Sequence, residues 1–289
     1  MQAITGKTQV LGIIGDPVEH SLSPVMHNAA IAKLGLDYIY VPFPVAPDNL
    51  KQAILGFTAV NVQGFSITIP HKQNIIPLLT EITKDAVNIG AVNTVWRTAT
   101  GWKGTNTDAF GFIAPLKKIE RDWTKATPVI LGHGGAARAV IAGLANLGCP
   151  EIHVVGRNPD KLARFYQSWQ HTPTIISLLK IHNWDNLASL VAAADLLVNA
   201  TPIGMSPNTD ETPVNVNLMQ KLKPQAIAYD LIYTPNPTQF LKLAQAQGNI
   251  AIDGLEMLVQ QGVAALEIWL QQSVPVDTMR NSLREYLKL

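Results

Sequence analysis

A two-domain α/β architecture is the fold class this chain predicts, and three observations predict it. Strand-like and helical runs alternate from residue 9 to residue 253, a glycine-rich turn joins strand to helix within residues 127–161, and everything after residue 254 reads as helix. The first run, QVLGIIG at residues 9–15, is β-rich and ends at Asp16 and Pro17. Residues 24–34 read as a helix, with Ser23 as its cap and Pro24 in its first turn. Strands are expected at residues 38–43 and 64–68, and between them Leu50, Ile54 and Phe57 form one face of a helix over residues 48–57. After Pro70 come short helical pieces, then strands at residues 91–97 and 101–105 joined by a turn. Residues 107–119 read as a connecting helix with Phe110, Ile113, Ala114 and Leu116 on its apolar side.

Beyond that helix, residues 129–131 form an apolar strand that runs into Gly132, Gly134 and Ala137. The helix that follows ends at Gly148 and Pro150, and a second strand begins near Ile152. Further strand cores are residues 195–199, 226–230 and 250–253, separated by helical stretches such as residues 237–247. This alternation implies a mostly parallel, Rossmann-like doubly wound sheet with right-handed crossovers. Residues 254–270 and 276–289 read as two helices with no strand left to add, a tail expected to pack back on the first domain. The expected division is residues 1–107 with 256–289 for one domain and 108–255 for the other.

Composition narrows the function classes. The chain has 289 residues, 47% of them hydrophobic and 15% charged, enough to bury a large core. A net charge of +1 without a basic run gives no field to attract nucleic acid or an anionic membrane. The single cysteine, Cys149, excludes an internal disulfide and fits a reducing compartment. No signal-like segment and no apolar stretch of spanning length is present, so a soluble, cytoplasmic protein is expected, as a monomer or homodimer.

The glycine turn carries the first chemical signal. Gly132, Gly134 and Ala137 fit the G-x-G-x-x-[GA] spacing of a dinucleotide-binding βα turn: a tight bend, a close backbone approach to the pyrophosphate, and close helix-on-strand packing. An NAD-preferring site places a carboxylate at the end of the second strand, to bind the ribose 2′-hydroxyl. Gly156, Arg157 and Asn158 stand there instead, with Lys161 close behind. A guanidinium fork and a second cation suit the 2′-phosphate of NADP. Asn158 and Pro159 also have the chemistry of an N-cap and first helical residue.

A nicotinamide enzyme also needs a group that moves a proton. Lys72 follows the strand at residues 64–68 and the turn Ile69, Pro70, His71, at a sheet edge where ligands bind, and Asp108 lies at the domain junction. An ammonium and a carboxylate about 4 Å apart attract by about 4 kcal/mol at an effective dielectric of 20. His71 reads as a turn histidine packed at the strand end more readily than as a proton shuttle. The seven histidines form no metal motif, so metal-free hydride transfer is expected.

The stretches GDPVEHSLSPVMHNAA, GFSITIPHK, GAVNTV, NTDAFG, LGHGGAARA, NATPIGM, YDLIYTPNPTQFL and DGLEMLVQQGVAALEIW lie in this order along the chain. With them the chain resembles the shikimate dehydrogenases from end to end. The resemblance implies NADPH-dependent reduction of 3-dehydroshikimate to shikimate, a small-molecule substrate, in aromatic amino-acid biosynthesis. It implies that residues 1–107 bind substrate and that residues 108–255 bind NADP. Lys72 would be the acid/base, positioned by Asp108. Ser21 and Ser23, with Tyr233, would bind the substrate carboxylate, and Thr68, Asn93, Asp108 and Gln261 the ring hydroxyls. Gly132, Gly134, Gly135 and Ala136 would hold the pyrophosphate; Arg157 and Lys161 would hold the 2′-phosphate, with Asn158 between them in the cofactor site; Asn199, Thr201, Gly254 and Met257 would lie near the nicotinamide half. Departures from the family pattern are His133 inside the glycine turn, Gly156 and Asn158 around Arg157, and Glu256 in GLEML. Two other readings stand beside this one: a dehydrogenase of broader specificity that also takes quinate, and a non-catalytic sensor of NADP or a pathway metabolite.

Overall fold

A computed structural model describes residues 3–289, and the chain divides into two compact units. One is the chain up to Gly111 together with Leu258–Leu289, the other Phe112–Met257. The divisions fall slightly beyond residues 107 and 255 because a continuous helix runs through each of them.

The first unit opens with β1 (Gln9–Gly15), α1 (Ser23–Leu34), β2 (Tyr38–Pro44), α2 (Leu50–Ala59) and β3 (Gly64–Ile67). It continues through α3 (His71–Asn74), β4 (Glu81–Ile82), α4 (Lys84–Ile89), the hairpin β5 (Thr94–Thr98) and β6 (Gly101–Thr105), and the start of α5 (Asp108–Leu116). The strands form a six-stranded sheet in the order β2-β1-β3-β5-β6-β4. The β1–β2 and β1–β3 pairs are parallel, whereas β5 pairs antiparallel with both β3 and β6. On one face Phe57, Phe65 and Trp102 pack edge to face, with successive centroids 5.2 Å apart.

Two local expectations need correction. Ser23 is the first residue of α1 rather than its cap; Leu22 occupies the cap position, and Ser21 Oγ accepts from the Ser23 N–H at 3.3 Å. Phe110 is 49% exposed, and Ala109, Phe112, Ile113 and Leu116 form the buried side of α5. The two-residue β4 is too short to leave a periodic signal.

The second unit follows with β7 (Pro128–Leu131), α6 (Gly135–Asn146), β8 (Ile152–Gly156), α7 (Pro159–Gln167), α8 (Pro173–Ile176) and β9 (Leu179–Asn183). Then come α9 (Leu187–Ala193), β10 (Leu196–Asn199), α10 (Val216–Met219), β11 (Ile227–Asp230), α11 (Gln239–Ala246) and β12 (Ile250–Ile252). Its six strands are all parallel, in the order β12-β11-β10-β7-β8-β9. The chain winds outward in both directions from β7 and β10, so the strand order reverses there, and ligands of such sheets bind at the carboxyl ends beside that switch point. Strand β9 was not among the expected elements. It is an edge strand paired only with β8, and Leu179 is its only fully buried residue, so no apolar run marks it.

The helices α12 (Leu255–Leu270) and α13 (Val276–Leu287) return the chain to the first unit. There α13 packs along α1, and the Trp269 indole donates to the Val95 carbonyl at 2.9 Å. Gly64 makes room for that ring, since a Cβ there would stand 2.3 Å from its nitrogen. Among the described residues, no helix is long and apolar enough to cross a membrane.

Candidate active site

In the first unit the site grows from the end of β3. The Thr68 N–H donates to the Ile14 carbonyl at 2.9 Å, and the His71 N–H to the Thr68 carbonyl at 3.0 Å, which bends the chain sharply after the strand. His71 is fully buried with Nε2 at 2.6 Å from the Val45 carbonyl, so its ring pins this bend. The Val92 N–H donates to the Lys72 carbonyl at 2.7 Å, which ties Lys72 to the segment leading into β5.

From this anchored backbone Lys72 Nζ reaches Asp108 Oδ2 at 2.6 Å. Asn93 Nδ2 donates to the other carboxylate oxygen at 2.8 Å, so Asp108 is held from two sides. Asn93 is oriented in turn, because its Oδ1 accepts from the Thr107 N–H at 2.8 Å and from the Thr94 hydroxyl at 2.9 Å. Gln261 Oε1 lies 3.5 Å from Asn93 Nδ2, and Gln261 Nε2 donates to the Leu258 carbonyl at 2.7 Å. Lys72, Asn93, Asp108 and Gln261, distant in sequence, thus form one connected polar cluster. Thr94 and Thr107, which lie within GAVNTV and NTDAFG without an assigned role, belong to it too. Thr68 is half-buried at the end of β3, and Ser21 and Ser23 lie at the start of α1.

The second unit builds its site differently. Gly132 has φ +100°, a left-handed conformation that favours glycine, and its Cβ would meet Thr201 Cγ2 at 2.9 Å. Gly134 caps α6 with no side-chain hydrogen bond, and the space over Gly134 and Gly135 is open, with nothing within 4 Å of an added Cβ. Uncapped helix N–H groups facing open space suit an anion. Ala136 is exposed beside them, while Ala137 is buried against the strand.

At the end of β8 the Arg157 guanidinium lies over the Trp184 ring, 4.8 Å from its centroid. Asn158 Oδ1 accepts from the Lys161 N–H at 2.8 Å, so this side chain caps α7 and its oxygen is committed there. Lys161 stands exposed in the first turn of that helix.

At the end of β10, Asn199 is fully buried and all of its hydrogen-bonding positions are in use. Its Nδ2 donates to Asp230 at 3.0 Å and to the Ile203 carbonyl at 3.2 Å, and its Oδ1 accepts from the Thr201 N–H at 3.0 Å and hydroxyl at 2.7 Å. Its part is to hold the turn that carries Thr201. Asp230, which lies within YDLIYTPNPTQFL without an assigned role, also accepts from Thr238 at 2.7 Å, and burial raises its pKa to about 6. Gly254 fits beneath residues 231–232, because a Cβ there would stand 2.2 Å from the Leu231 carbonyl oxygen. Tyr233 is half-buried, with its pKa raised by burial. Met257 is half-buried at the end of this unit, and Glu256 pairs with Lys118 at 3.3 Å.

The open glycine cradle, the uncapped helix and two cations without a carboxylate at the end of β8 fit NADP. A doubly wound sheet of this kind, in one chain with a lysine held by a buried carboxylate, defines a nicotinamide-dependent oxidoreductase. Residues 13–95 match the shikimate dehydrogenase substrate binding domain, and residues 254–284 the shikimate 5′-dehydrogenase C-terminal domain. The NADP(+) shikimate dehydrogenase of Gloeothece citriformis is 62% identical over the whole of both chains. The chain therefore belongs to the shikimate dehydrogenase family. A Thermus thermophilus shikimate 5-dehydrogenase, solved with NADP(H) and shikimate, is 31% identical with a TM-score of 0.84, covering 96% of this chain and 99% of that one. A ligand-free 5-ketofructose reductase from a Gluconobacter strain is 33% identical with a TM-score of 0.85, covering 98% of this chain and all of the other.

Proposed function

We propose that this protein interconverts 3-dehydroshikimate and shikimate with NADP(H), and that Lys72 is its acid/base. The observation that carries this reading is the 2.6 Å contact of Lys72 Nζ with Asp108, itself fixed by Asn93. Bound NADPH supplies the hydride that converts the ring ketone to an alcohol. The Lys72 ammonium donates the accompanying proton to the developing alkoxide, and Asp108 keeps the ammonium in place. In the reverse direction Lys72 takes the hydroxyl proton back. A positioned group of this kind contributes roughly 10² to 10⁴ in rate.

The substrate-binding domain comprises residues 1–107 and the helices at 256–289, and residues 108–255 form the NADP-binding domain. Thr68, Asn93, Asp108 and Gln261 offer the short donors and acceptors that a polyhydroxylated ring requires, while Ser21, Ser23 and Tyr233 serve its carboxylate. Gly132, Gly134, Gly135 and Ala136 receive the pyrophosphate, and Arg157 and Lys161 the 2′-phosphate. Asn158 contributes by capping the helix that carries Lys161. Thr201, Gly254 and Met257 shape the nicotinamide end, with Asn199 acting through the turn it holds.

Nucleotide reduction followed by absorbance with shikimate, and in parallel with quinate and with NAD, tests the assignment. Turnover confined to shikimate with NADP is expected. Comparable rates with quinate or NAD would identify the broader enzyme, and NADP binding without turnover a sensor. In the same assay Lys72→Ala is expected to lose at least a hundredfold in turnover with shikimate binding largely intact. Near-normal turnover of that variant would remove Lys72 from the mechanism.

A further inference from the structure

His133 stands inside the glycine turn, and its ring reaches across to the end of β8. A methyl group placed on Gly156 would lie 3.7 Å from both Cε1 and Nδ1 of His133, and 3.2 Å from Leu162 Cδ1. The imidazole therefore borders the space that a side chain at position 156 would enter. It is further seated edge-on against Phe165, at 6.0 Å between centroids and 75° between planes. Lys161 is near enough for its charge to add to the effect of burial in lowering the pKa of this histidine.

The end of the second strand is where dinucleotide sites choose between a ribose 2′-hydroxyl and a 2′-phosphate. Gly156, directly before Arg157, offers no side chain for that choice. We infer that His133 supplies it: a ring N–H of His133 donates a hydrogen bond to the 2′-phosphate of the nucleotide, beside Arg157 and Lys161, and so sets selectivity for NADP over NAD. Neutral imidazole carries one ring N–H and the protonated ring two, so the donor is the tautomer whose N–H faces the phosphate, or the imidazolium. The departures at positions 133 and 156 are then one paired exchange, in which the polar group comes from the glycine turn instead of from the strand. This inference rests on the NADP-binding reading above.

Dissociation constants for NADP and NAD, measured by calorimetry on the unmodified protein, His133→Ala and His133→Asn, test it. Failure of the unmodified protein to prefer NADP would overturn the NADP reading itself. Given that preference, His133→Ala is expected to weaken NADP about tenfold, or about 1.4 kcal/mol, and NAD less than about twofold. His133→Asn keeps a side-chain N–H and is expected to fall between. An equal loss for both nucleotides, no loss, or a His133→Asn preference as low as that of His133→Ala would overturn the inference.

Discussion

In the first unit the reactive end of the sheet is made of side chains: Lys72 on Asp108, Asp108 on Asn93, and Asn93 on Thr94 and Thr107. In the second, the end beside β7 is made by leaving side chains out, with Gly132 in a left-handed turn and open space above Gly134 and Gly135. The first arrangement depends on the identity of every polar atom, because each partner's orientation is fixed by the next. The second depends on backbone geometry, and there an added methyl group is the damaging change. Proton transfer needs a positioned side chain, whereas a phosphate can be held by N–H groups that every residue except proline carries.

The contrast extends to pH and gives the largest expected effect. His27 in the first unit is fully buried, stacked on Tyr40 at 4.3 Å, and burial lowers its pKa from 6.5 to about 3. Its unfolded form binds a proton first as pH falls, so the stability it contributes is complete above 6.5 and is lost between there and about 3, at a cost of order 5 kcal/mol. Asp230 in the second unit has the opposite sign. Its folded pKa of about 6 lies above the 3.8 of an unperturbed aspartate, so its contribution, of order 3 kcal/mol, is complete below 3.8 and is lost as pH rises through 6. His133, His153 and His182 in the second unit also have pKa values lowered by burial and add an acid-side loss there that runs against Asp230. Hydrogen exchange at pH 7 and pH 4.5 should therefore show the first unit losing protection on acidification, and His27→Phe should reduce that loss. An unchanged loss in His27→Phe would remove His27 as its source.

Within the side-chain-built site, Asp108→Asn keeps the shape but removes the negative charge that faces Lys72. Turnover is expected to fall by roughly 10² to 10³, with a smaller change in shikimate KM. In the backbone-built unit, Gly254→Ala places a methyl group 2.2 Å from the Leu231 carbonyl oxygen and should cost about 1–3 kcal/mol, read as a lowered Tm. An unchanged Tm would mean that the 231–232 segment yields freely. The smallest effect is expected at Trp184, which packs against the core of its unit and carries the Arg157 guanidinium on its ring. Trp184→Leu should raise KM for NADP severalfold at constant kcat, in line with a cation–π contact of about 0.5–1 kcal/mol, and an equal rise for NAD would assign Trp184 to general packing instead.

Much of the fold was legible in the sequence because its signals are local. Gly132, Gly134 and Ala137 after an apolar strand marked the dinucleotide unit, and Leu50, Ile54 and Phe57 marked a helix face that is buried as their spacing implied. Strand β9 was not legible, since an edge strand of mixed residues resembles a loop. The exposure of Phe110 was not legible, because helical period alone does not say which side of α5 meets a core. Asp230 and Trp184 were passed over because their importance comes from partners 31 and 27 residues away, Asn199 and Arg157.

By itself the sequence determined which residue types were available: a glycine turn that can receive a pyrophosphate, cations in place of a carboxylate after the second strand, and a lysine beyond a strand end. These are properties of short segments, set by backbone freedom, charge and hydrophobic period. Tertiary structure decided which of them meet. It joined Lys72, Asn93 and Asp108 into one cluster with Gln261 from the returning helix, and it laid His133 against Gly156. Distances between side chains far apart in the chain follow from packing, to which many residues contribute and none can be read alone.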